Sequence, residues 1–312
     1  MATDSTQPRI DIVTGAFSYT GRYIARALLA QGRRVRTLTN HSSRPGAEDL
    51  QAEVEVEPLQ FEDKPRLAVA MRGAKTLYNT YWIRYPHSGL DFDRAVANTR
   101  VLMEAAVRGG VRKVVHISVS NPALDSPLAY YAGKAQTEEV VKESGLAWAI
   151  VRPTLVFAPE DILINNIAWL LRTMPVFGMP GLGHYRVQPV AAEDVADISM
   201  WAAVQPENVI VDAAGPEIVT FAEMVDQISI AVHRRPPFVY LPPALAILGS
   251  TVIGLAMRDR MLTFQELQGL MTELLVSAEP PRGSRRLDDW LLAHADTVGR
   301  RYASELDRHF RK

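Results

Sequence analysis

The segment IDIVTGAFSYTG, residues 10–21, decides the fold of this chain. Its first part, Ile10–Thr14, is typical of a buried strand, and a helical pattern follows over Tyr23–Leu29. A strand that enters a helix so soon must turn sharply, and Gly15 permits that turn. Gly21 allows the helix to lie close to the sheet. Because the start of a helix offers backbone amides and the positive end of its dipole, the segment predicts a turn that holds the diphosphate of a dinucleotide.

The same alternation of strands and helices continues as far as Arg152. This order predicts an α/β fold of Rossmann type, in which helices cover both faces of a doubly wound parallel sheet. It also disfavours the alternative that the two glycines of the turn serve the backbone alone. The predicted strands are Ile10–Thr14, Arg34–Leu38, Val54–Leu59, Thr76–Thr80, Val114–Ser118 and Trp148–Arg152, and the helices after the first are Leu90–Arg108 and Tyr130–Ser144.

After Pro153 the regular alternation ends. We expect residues 1–158 to form the Rossmann core, completed by roughly residues 187–215. Residues 159–186 and 216–312 are expected to form a smaller, mostly helical C-terminal lobe that binds the substrate. In this part the sequence predicts helices over Ile162–Met174, Glu193–Ala203 and Thr220–Val232, a loop over Val176–Gly183, a returning strand over Val209–Ala213, and a helical tail over 262–312 with a loop near Ser277–Ser284.

The composition narrows the class of protein. Of the 312 residues, 47% are hydrophobic and 22% are charged, which predicts a large core and disfavours disorder. The formal net charge of −1 provides no strong field to attract nucleic acid or an anionic membrane. The chain has no cysteine, which excludes thiolate chemistry, is compatible with a reducing interior and leads us to expect a cytoplasmic protein. The seven histidines lack ligand spacing, so we predict no metal site.

The most apolar stretch of the chain is Val239–Met257. It contains two prolines and a glycine, and Arg258 follows it directly. Because it is barely long enough to span a bilayer, we expect a buried or interfacial helix there rather than a transmembrane one. Such a helix could cap a pocket or rest on a membrane. The polar segment Met1–Pro8 is not typical of a secretory signal.

Several motifs resemble those of the extended and atypical short-chain dehydrogenase/reductases, over about the first two thirds of the chain. Residues 14–21 resemble the family's Thr-Gly-x-x-Gly-x-x-Gly turn, with Ser18 in place of the middle glycine. Residues 130–134 match its Tyr-x-x-x-Lys motif, and residues 115–120 resemble the strand end that carries its catalytic serine. The resemblance is closest to the branch of NmrA-like proteins, epimerase-like proteins and the NAD(P)H-binding accessory subunit of respiratory complex I. It implies a Rossmann fold and NAD or NADP as the cofactor.

The candidate catalytic residues are Tyr130, Lys134 and Ser120. Tyr130 and Lys134 are four residues apart, so they share one face of a predicted helix. A lysine ammonium close to a tyrosine hydroxyl favours the phenolate and lowers the tyrosine pKa below its usual value of about 10. The resemblance implies that Tyr130 is the proton donor or acceptor and that Ser120 holds the substrate oxygen. Ser118 competes with Ser120, and Tyr131 competes with Tyr130 at a spacing of three from Lys134.

The residues after the second strand bear on the choice of cofactor. NAD enzymes tend to carry an acidic residue there, and residues 38–44 contain none. Asn40 and Arg44, with Ser42 and Ser43, could surround a 2′-phosphate, so we prefer NADP to NAD. The family's adenine-contacting segment corresponds to residues 59–63. The expected cofactor-binding residues are Gly15, Phe17, Ser18, Tyr19, Thr20, Gly21, Asn40, Arg44, Phe61, Thr80, Lys134 and Pro153.

The expected substrate walls lie beyond the carboxyl ends of the strands, where parallel sheets bind ligands. Tyr81, Trp82, Tyr85 and Phe157 predict a bulky apolar or aromatic small molecule, although aromatic residues of this kind also serve cores. We therefore expect an NAD(P)-dependent oxidoreductase that transfers a hydride to or from a carbonyl or alcohol carbon. Two alternatives stay open: an NAD(P)H-binding redox sensor or accessory subunit without turnover, and an epimerase that uses a transient hydride transfer.

Overall fold

A computed structural model describes residues 10–41, 44, 46–86 and 89–304. The apolar runs of the sequence form strands and the periodic segments between them form helices, as the pattern predicts. In chain order the elements are β1 (Ile10–Thr14), α1 (Tyr19–Ala30), β2 (Arg34–Leu38), α2 (Glu48–Gln51), β3 (Val54–Glu57), α3 (Lys64–Ala70), β4 (Ala74–Asn79), α4 (Phe92–Gly109), β5 (Lys113–Ile117), α5 (Ala129–Lys142), β6 (Ala147–Pro153), β7 (Leu155–Phe157), α6 (Ile162–Thr173), β8 (Phe177–Pro180), β9 (Arg186–Val187), β10 (Pro189–Ala191), α7 (Ala192–Ala203), β11 (Val209–Ala213), β12 (Val219–Thr220), α8 (Phe221–Ala231), β13 (Phe238–Leu241), α9 (Pro243–Met257), α10 (Phe264–Met271) and α11 (Leu287–Ala293).

Seven strands form the central sheet in the order β11-β6-β5-β4-β1-β2-β3, and the pairs among β1 to β6 are parallel. The predicted α/β Rossmann fold is confirmed. β1 lies between β2 and β4, and its residues Ile12 and Val13 are fully buried. The chain extends the sheet from β1 to β3 on one side and then returns to place β4 on the other. At such a switch point the connections diverge, and open α/β sheets bind their ligands there, beyond the carboxyl ends of the strands.

The chain packs as two units. One comprises the residues up to Arg152 together with Val195–Asp212, and the other comprises Pro153–Asp194 and the residues from Ala213 onward. The division after Arg152 falls six residues before the predicted boundary at 158. The returning part is also shorter than the predicted 187–215, because Gln188 and Asp194 bond within the second unit, to Gly215 and to Ser284.

The second unit has its own hydrophobic core and contains more strand than the sequence predicts. Three two-stranded pairs, β7 with β10, β8 with β13 and β9 with β12, accompany the helices α6, α8, α10 and α11. The prediction of a loop over Val176–Gly183 is wrong, because Phe177–Pro180 pairs in parallel with β13. The Phe177 ring is buried and meets the Phe238 ring at 5.9 Å, so a hydrophobic contact holds a segment rich in Gly and Pro as a strand. The predicted helix over Thr220–Val232 is found as α8, and a capping box between Thr220 and Glu223 begins it.

The apolar stretch Val239–Met257 divides into β13 and the helix α9. The sequence predicts either a buried or an interfacial helix here, and the buried alternative is wrong. Four side chains of the helix are more than half exposed, those of Leu245, Leu248, Val252 and Leu255. Among the described residues, no helix has both the length and the apolar character that crossing a bilayer requires. Of the predicted helical tail over 262–312, α10 and α11 are the helices found, and residues 305–312 lie outside the described part.

Candidate active site

Two glycines shape the turn between β1 and α1. Gly15 has a φ of +65°, which a side chain would strain, and its amide donates to the Leu38 carbonyl at 3.1 Å. A Cβ on Gly21 would lie 2.2 Å from the Gly15 carbonyl oxygen, so only glycine fits there. Because α1 begins at Tyr19, four residues before the predicted start, Thr20 and Gly21 lie in its first turn. The amides of a first turn have no acceptor within the helix, which suits them to an anion.

Ser18 and Phe17 differ from what the sequence suggests. The Ser18 hydroxyl donates to the Gly15 carbonyl at 2.6 Å, and the Ser18 amide donates to the same oxygen at 2.8 Å. Ser18 therefore closes the turn, and its hydroxyl proton points at the backbone instead of toward a phosphate. Phe17 is 1% exposed. Its side chain belongs to the core, so only its backbone can face a cofactor.

Two arginines of α1 hold the loop after β2 against this turn, and sequence reasoning missed both. Arg22 is buried and donates to the carbonyls of Phe17 at 3.0 Å and Gly46 at 3.1 Å. Arg26, one helical turn later, donates to the same Gly46 carbonyl at 2.9 Å and pairs with Asp49. The signal that could have revealed them is their i, i+4 spacing directly after the glycine motif.

The predicted 2′-phosphate residues lie on this loop and at the end of β2. The Asn40 side chain donates to the Leu59 carbonyl at 2.8 Å and accepts from the Leu59 amide at 3.1 Å. Asn40 thus ties the ends of β2 and β3 together, at the start of the expected adenine segment. Arg44 is half-buried two residues before Gly46. Ser42 and Ser43 lie outside the described residues.

Phe61, Tyr81 and Thr80 lie beyond the ends of β3 and β4. The rings of Phe61 and Tyr81 are 4.8 Å apart, and Asn98 donates to the Tyr81 hydroxyl at 2.8 Å. Burial raises the pKa of Tyr81 above its usual value, so its hydroxyl stays neutral. The Thr80 amide donates to the Thr14 hydroxyl at 2.7 Å and the Thr80 hydroxyl donates to the Thr14 carbonyl, so the ends of β1 and β4 are joined.

A chain of buried hydrogen bonds connects the end of β1 with α5. The Thr14 hydroxyl donates to Asn79 Oδ1 at 3.3 Å, and Asn79 Nδ2 lies 3.0 Å from His116 Nδ1. On the other side of the ring, His116 Nε2 lies 3.1 Å from the Thr137 hydroxyl, which donates its proton to the Lys134 carbonyl at 2.7 Å. Because that hydroxyl proton is already used, Nε2 must be the donor and Nδ1 the acceptor.

His116 is therefore a neutral side chain with a defined tautomer. It is fully buried, and desolvation together with the charge of Lys134 lowers its pKa well below the usual range. The chain of bonds that runs through it crosses β1, β4, β5 and α5. We call these five residues, Thr14, Asn79, His116, Thr137 and Lys134, the buried relay.

Lys134 lies at the end of the buried relay and is 4% exposed. Its ammonium donates to the Ile117 carbonyl at 2.9 Å and lies 5.0 Å from the centre of the Trp82 ring. Burial lowers the pKa of Lys134 to about 7, against the opposing charge of Glu138. A Cβ on Gly133 would lie 2.8 Å from the Trp82 ring, so the glycine before the lysine allows that indole to approach the helix.

Tyr130 is half-buried at the start of α5, on the same aromatic cluster. Its ring meets those of Trp82 and Phe92 edge-on at 6.0 Å each, and Trp82 stacks on Phe92 at 5.6 Å. The structure thus brings two predicted residues, Tyr130 and Lys134, together around the indole of a third, Trp82. The buried Trp82 Nε1 has no hydrogen-bond partner in the described structure, which leaves a donor available to a ligand.

The two candidate serines after β5 have different surroundings. The Ser118 hydroxyl donates to Glu138 at 2.5 Å, and Glu138 also accepts two bonds from Arg152, at 2.9 and 2.6 Å. Ser118 is therefore held by a buried ion pair. Ser120 is fully buried three residues beyond the end of β5. The assignment of Ser120 to the substrate oxygen stays a prediction.

The remaining predicted residues contribute to packing. Tyr85 is 5% exposed in the first unit. Pro153 is buried where β6 ends, in the second unit. Phe157, also in the second unit, is fully buried and meets the Trp290 ring at 5.5 Å, so it serves a hydrophobic core rather than an accessible wall. Within the part of the chain that the structure describes, no three acidic or histidine side chains are grouped so as to hold a metal ion.

The fold and the turn together define a Rossmann protein with a nicotinamide-dinucleotide site, and comparisons with known proteins agree. Residues 15–162 match the family model described as NAD(P)H-binding. Residues 15–162 thus form an NAD(P)H-binding domain, and the comparisons support the predicted resemblance to the extended and atypical short-chain dehydrogenase/reductases.

Three similar proteins illustrate the range of this resemblance. The Arabidopsis thaliana NADH dehydrogenase [ubiquinone] 1 alpha subcomplex subunit 9 is 23% identical over 75% of this chain and 60% of its own. The NAD(P)H azoreductase of Xenophilus azovorans is 29% identical over 63% of this chain and 62% of its own. The Escherichia coli NADPH-dependent quinone oxidoreductase QOR2, solved with NADPH, has a TM-score of 0.70 at 17% identity over 90% of this chain and 98% of its own. The chain spans about three fifths of the length of these curated relatives.

Proposed function

We propose that this protein is an NAD(P)-dependent oxidoreductase that transfers a hydride to or from a carbonyl or alcohol carbon, with Tyr130 as the proton donor or acceptor. The observation that carries the proposal is the convergence of Tyr130 and Lys134 on Trp82, at 6.0 Å between rings and 5.0 Å from the ammonium. An unrelated tyrosine and an exposed lysine at the same spacing would not share a buried aromatic contact.

The residues of the chain account for the proton side of the reaction. When bound, the nicotinamide ring supplies the hydride in a reduction and takes it up in an oxidation. In a reduction, Tyr130 donates its proton to the oxygen of the carbonyl group as the carbon gains the hydride, and an alcohol results. The charge of Lys134 stabilises the resulting phenolate. Ser120 donates a hydrogen bond to the same oxygen and orients it.

The preference for NADP rests on the loop after β2. Arg44 precedes Gly46, whose carbonyl accepts bonds from both Arg22 and Arg26. This anchoring holds Arg44 beyond the end of β2, where a cofactor in the Rossmann arrangement carries its 2′ group. A guanidinium there favours a phosphate over a hydroxyl. We therefore expect Arg44→Ala to weaken NADPH binding by about tenfold while changing NADH binding little.

The aromatic cluster around Tyr130 favours an apolar or aromatic substrate. Trp82 and Tyr130 are half-buried and pack on the buried Phe92, and the buried indole Nε1 has no hydrogen-bond partner among the described residues, so a ligand that reaches this cluster meets an apolar lining. Such a lining, with few polar groups, suits a flat or apolar molecule better than a sugar nucleotide. The assignment of the second unit as a substrate-binding lobe stays a prediction.

A second candidate function is NAD(P)H binding without turnover, as a redox sensor or accessory subunit. The observation that favours it is the burial of Lys134. Its ammonium donates a hydrogen bond to the Ile117 carbonyl, and burial lowers its pKa to about 7. The similarity to a subunit of NADH dehydrogenase points the same way. An epimerase would use the same residues and return the hydride to its substrate. A cytoplasmic location stays a prediction.

Fluorescence titrations with NADPH and NADH, followed by turnover assays on apolar ketones, quinones and alcohols, test the proposal. Tyr130→Phe should lower turnover by about 10²-fold to 10⁴-fold with cofactor affinity unchanged. Tyr131→Phe, one residue away on the buried side, is the matched control and should retain turnover. Undiminished turnover in Tyr130→Phe would make the assignment wrong. Cofactor binding without turnover of any substrate would favour the sensor, and isotope exchange without net consumption would favour the epimerase.

A further inference from the structure

The helix α9 presents an apolar face to solvent. Leu245, Leu248, Val252 and Leu255 are 51%, 58%, 59% and 74% exposed. Their spacing of three and four residues places all four on one side of the helix. The opposite side holds small buried residues, Ser250 and Gly254. Exposed aliphatic side chains are ordinary when they are scattered, but a continuous stripe on one helix indicates a binding surface.

The residues at either end of α9 give this face its chemical character. Tyr240 before the helix and Phe264 after it are 55% and 56% exposed. Arg258 and Arg260 follow the helix directly and are exposed. Asp259 is the one carboxylate from Phe238 to Phe264, and it is buried and accepts from the Tyr302 hydroxyl at 2.8 Å. The face is thus apolar along the helix, aromatic at its borders and basic at one end, and the segment from Phe238 to Phe264 contributes no exposed acid to it.

We infer that α9 docks on the surface of a lipid bilayer that contains anionic lipids. Leucine and valine side chains enter the acyl boundary, the aromatic rings lie at the level of the headgroups, and the two arginines meet lipid phosphates. The helix lies in the interface and does not cross it, because 15 residues span about 22 Å and the hydrocarbon core is about 30 Å thick. This inference is independent of the proposed oxidoreductase activity.

A second copy of the chain explains the face less well. A helix pair with a stripe of this spacing sets its partner and register through charged residues beside the stripe. From Pro243 to Met257 the chain has no charged residue at all. A lipid bilayer requires no defined register of side chains, whereas a specific interface between two helices does. The net charge of the whole chain is −1, which does not oppose the inference. The field at a membrane surface decays within about one Debye length, so it acts on the charges close to the surface and not on the net charge of the chain.

Flotation of the purified full-length protein with lipid vesicles tests the inference. Vesicles of phosphatidylcholine alone are compared with vesicles that contain about one third phosphatidylglycerol. We expect the protein to float with the anionic vesicles, at least about tenfold more than with the neutral ones, and to be released by high salt. The variant L248Q/L255Q should lose most of the binding. R258Q/R260Q should retain weak binding and lose the preference for anionic lipid.

The matched control is V204Q/L292Q, which replaces two side chains that are 68% and 69% exposed elsewhere on the surface. It should bind vesicles as the unchanged protein does. Binding of L248Q/L255Q at the unchanged level, or no flotation of the unchanged protein with anionic vesicles, would overturn the inference. So would a dimer in analytical ultracentrifugation that L248Q/L255Q converts to a monomer, because the face would then be a contact between copies.

The lack of cysteine allows a direct measurement of depth. A nitroxide attached to L248C labels a single site on the exposed face of α9, and one attached to V204C labels the control surface. With anionic vesicles, the L248C label should gain exposure to oxygen and lose exposure to a water-soluble nickel chelate. The V204C label should show no change. Equal accessibility at both sites would contradict insertion even if the protein floats.

Discussion

The glycine turn and the Tyr130–Lys134 segment of α5 hold the two halves of the proposed chemistry, and they are built by different means. The turn is fixed by the backbone, since Gly15 has a positive φ and a Cβ on Gly21 would meet the Gly15 carbonyl at 2.2 Å. The Tyr130–Lys134 segment is fixed by buried side chains. The position of Lys134 is fixed by the buried relay, which includes His116, and by the packing of Trp82 against Gly133.

The difference determines how each region fails. A steric constraint acts on one atom pair, so a single methyl group breaks it. A polar relay distributes the constraint over several residues, and removing one member leaves its neighbours buried without a partner. The following substitutions probe the two kinds of construction in order of expected effect.

The largest effect is expected for Gly21→Ala. The added Cβ cannot coexist with the Gly15 carbonyl, so α1 must move away from the sheet. We expect a loss of about 3 kcal/mol in the free energy of unfolding and at least about a hundredfold loss of NAD(P)H affinity. Urea unfolding and cofactor fluorescence measure the two quantities. Gly249→Ala is the matched control, because a Cβ there meets nothing within 4 Å and an exposed helical glycine gains about 0.5 to 1 kcal/mol on becoming alanine.

If Gly21→Ala were as harmless as Gly249→Ala, the turn would not depend on close packing, and the contrast between the two regions would fail.

His116→Phe tests the buried relay. The phenyl ring fills the same space, but Asn79 Nδ2 loses its acceptor and the Thr137 hydroxyl loses its donor. We expect a loss of about 2 to 3 kcal/mol in the free energy of unfolding, and about 1 to 2 kcal/mol for Thr137→Val. The double variant should lose less than the sum, by at least about 0.5 kcal/mol, because the two residues share one bond.

Strict additivity of the two changes in urea unfolding would mean that the relay does not act as a unit. His184→Gln, at an exposed position, is the control and should stay within about 0.5 kcal/mol of the unchanged protein.

The same contrast explains what the sequence could predict. The bounds of β1 and β2 are as predicted, because each strand adjoins a turn at a glycine of positive φ, Gly15 after β1 and Gly32 before β2, which is determined locally. The start of α1 was placed four residues late, since Tyr19 to Arg22 show no apolar period. β8 was missed because its pairing with β13 depends on a hydrophobic contact about 60 residues away in the chain.

The candidate site shows the same division. The Tyr130–Lys134 pair was found through its spacing, and the structure places both on Trp82. The buried relay could not be predicted, because Asn79 and His116 are 37 residues apart and no motif of the sequence pairs them. Ser18 was predicted among the cofactor-binding residues, and its short side chain donates to the nearest carbonyl, that of Gly15.

Lys134→Met should separate stability from function. Burial lowers the pKa of Lys134 to about 7 in the folded protein, against about 10.4 in the unfolded chain. The unfolded state therefore binds more protons between these values, and stability should rise with pH across that window. Methionine removes both the buried charge and this slope, so at pH 7 the variant should gain about 2 kcal/mol in the free energy of unfolding while its turnover falls.

Urea unfolding at a series of pH values from 6 to 10 measures this slope. A parallel pH dependence in Lys134→Met and the unchanged protein would show that the ammonium is not the group that titrates. Lys64→Met, which removes an exposed lysine paired with Glu104, is the control and should leave the slope intact.

The smallest effect is expected for Ser18→Ala. This substitution tests the role of the serine that replaces the middle glycine of the family's turn. The hydroxyl donates to the Gly15 carbonyl, so its removal should cost about 1 kcal/mol in the free energy of unfolding. Because that proton serves the turn and not a ligand, NADPH affinity should stay within about threefold. A loss of tenfold or more in affinity, with stability unchanged, would mean that the hydroxyl turns to a phosphate when the cofactor binds. The turn would then rely on a side chain, as the Tyr130–Lys134 segment does, and the two regions would differ less than their hydrogen bonds indicate.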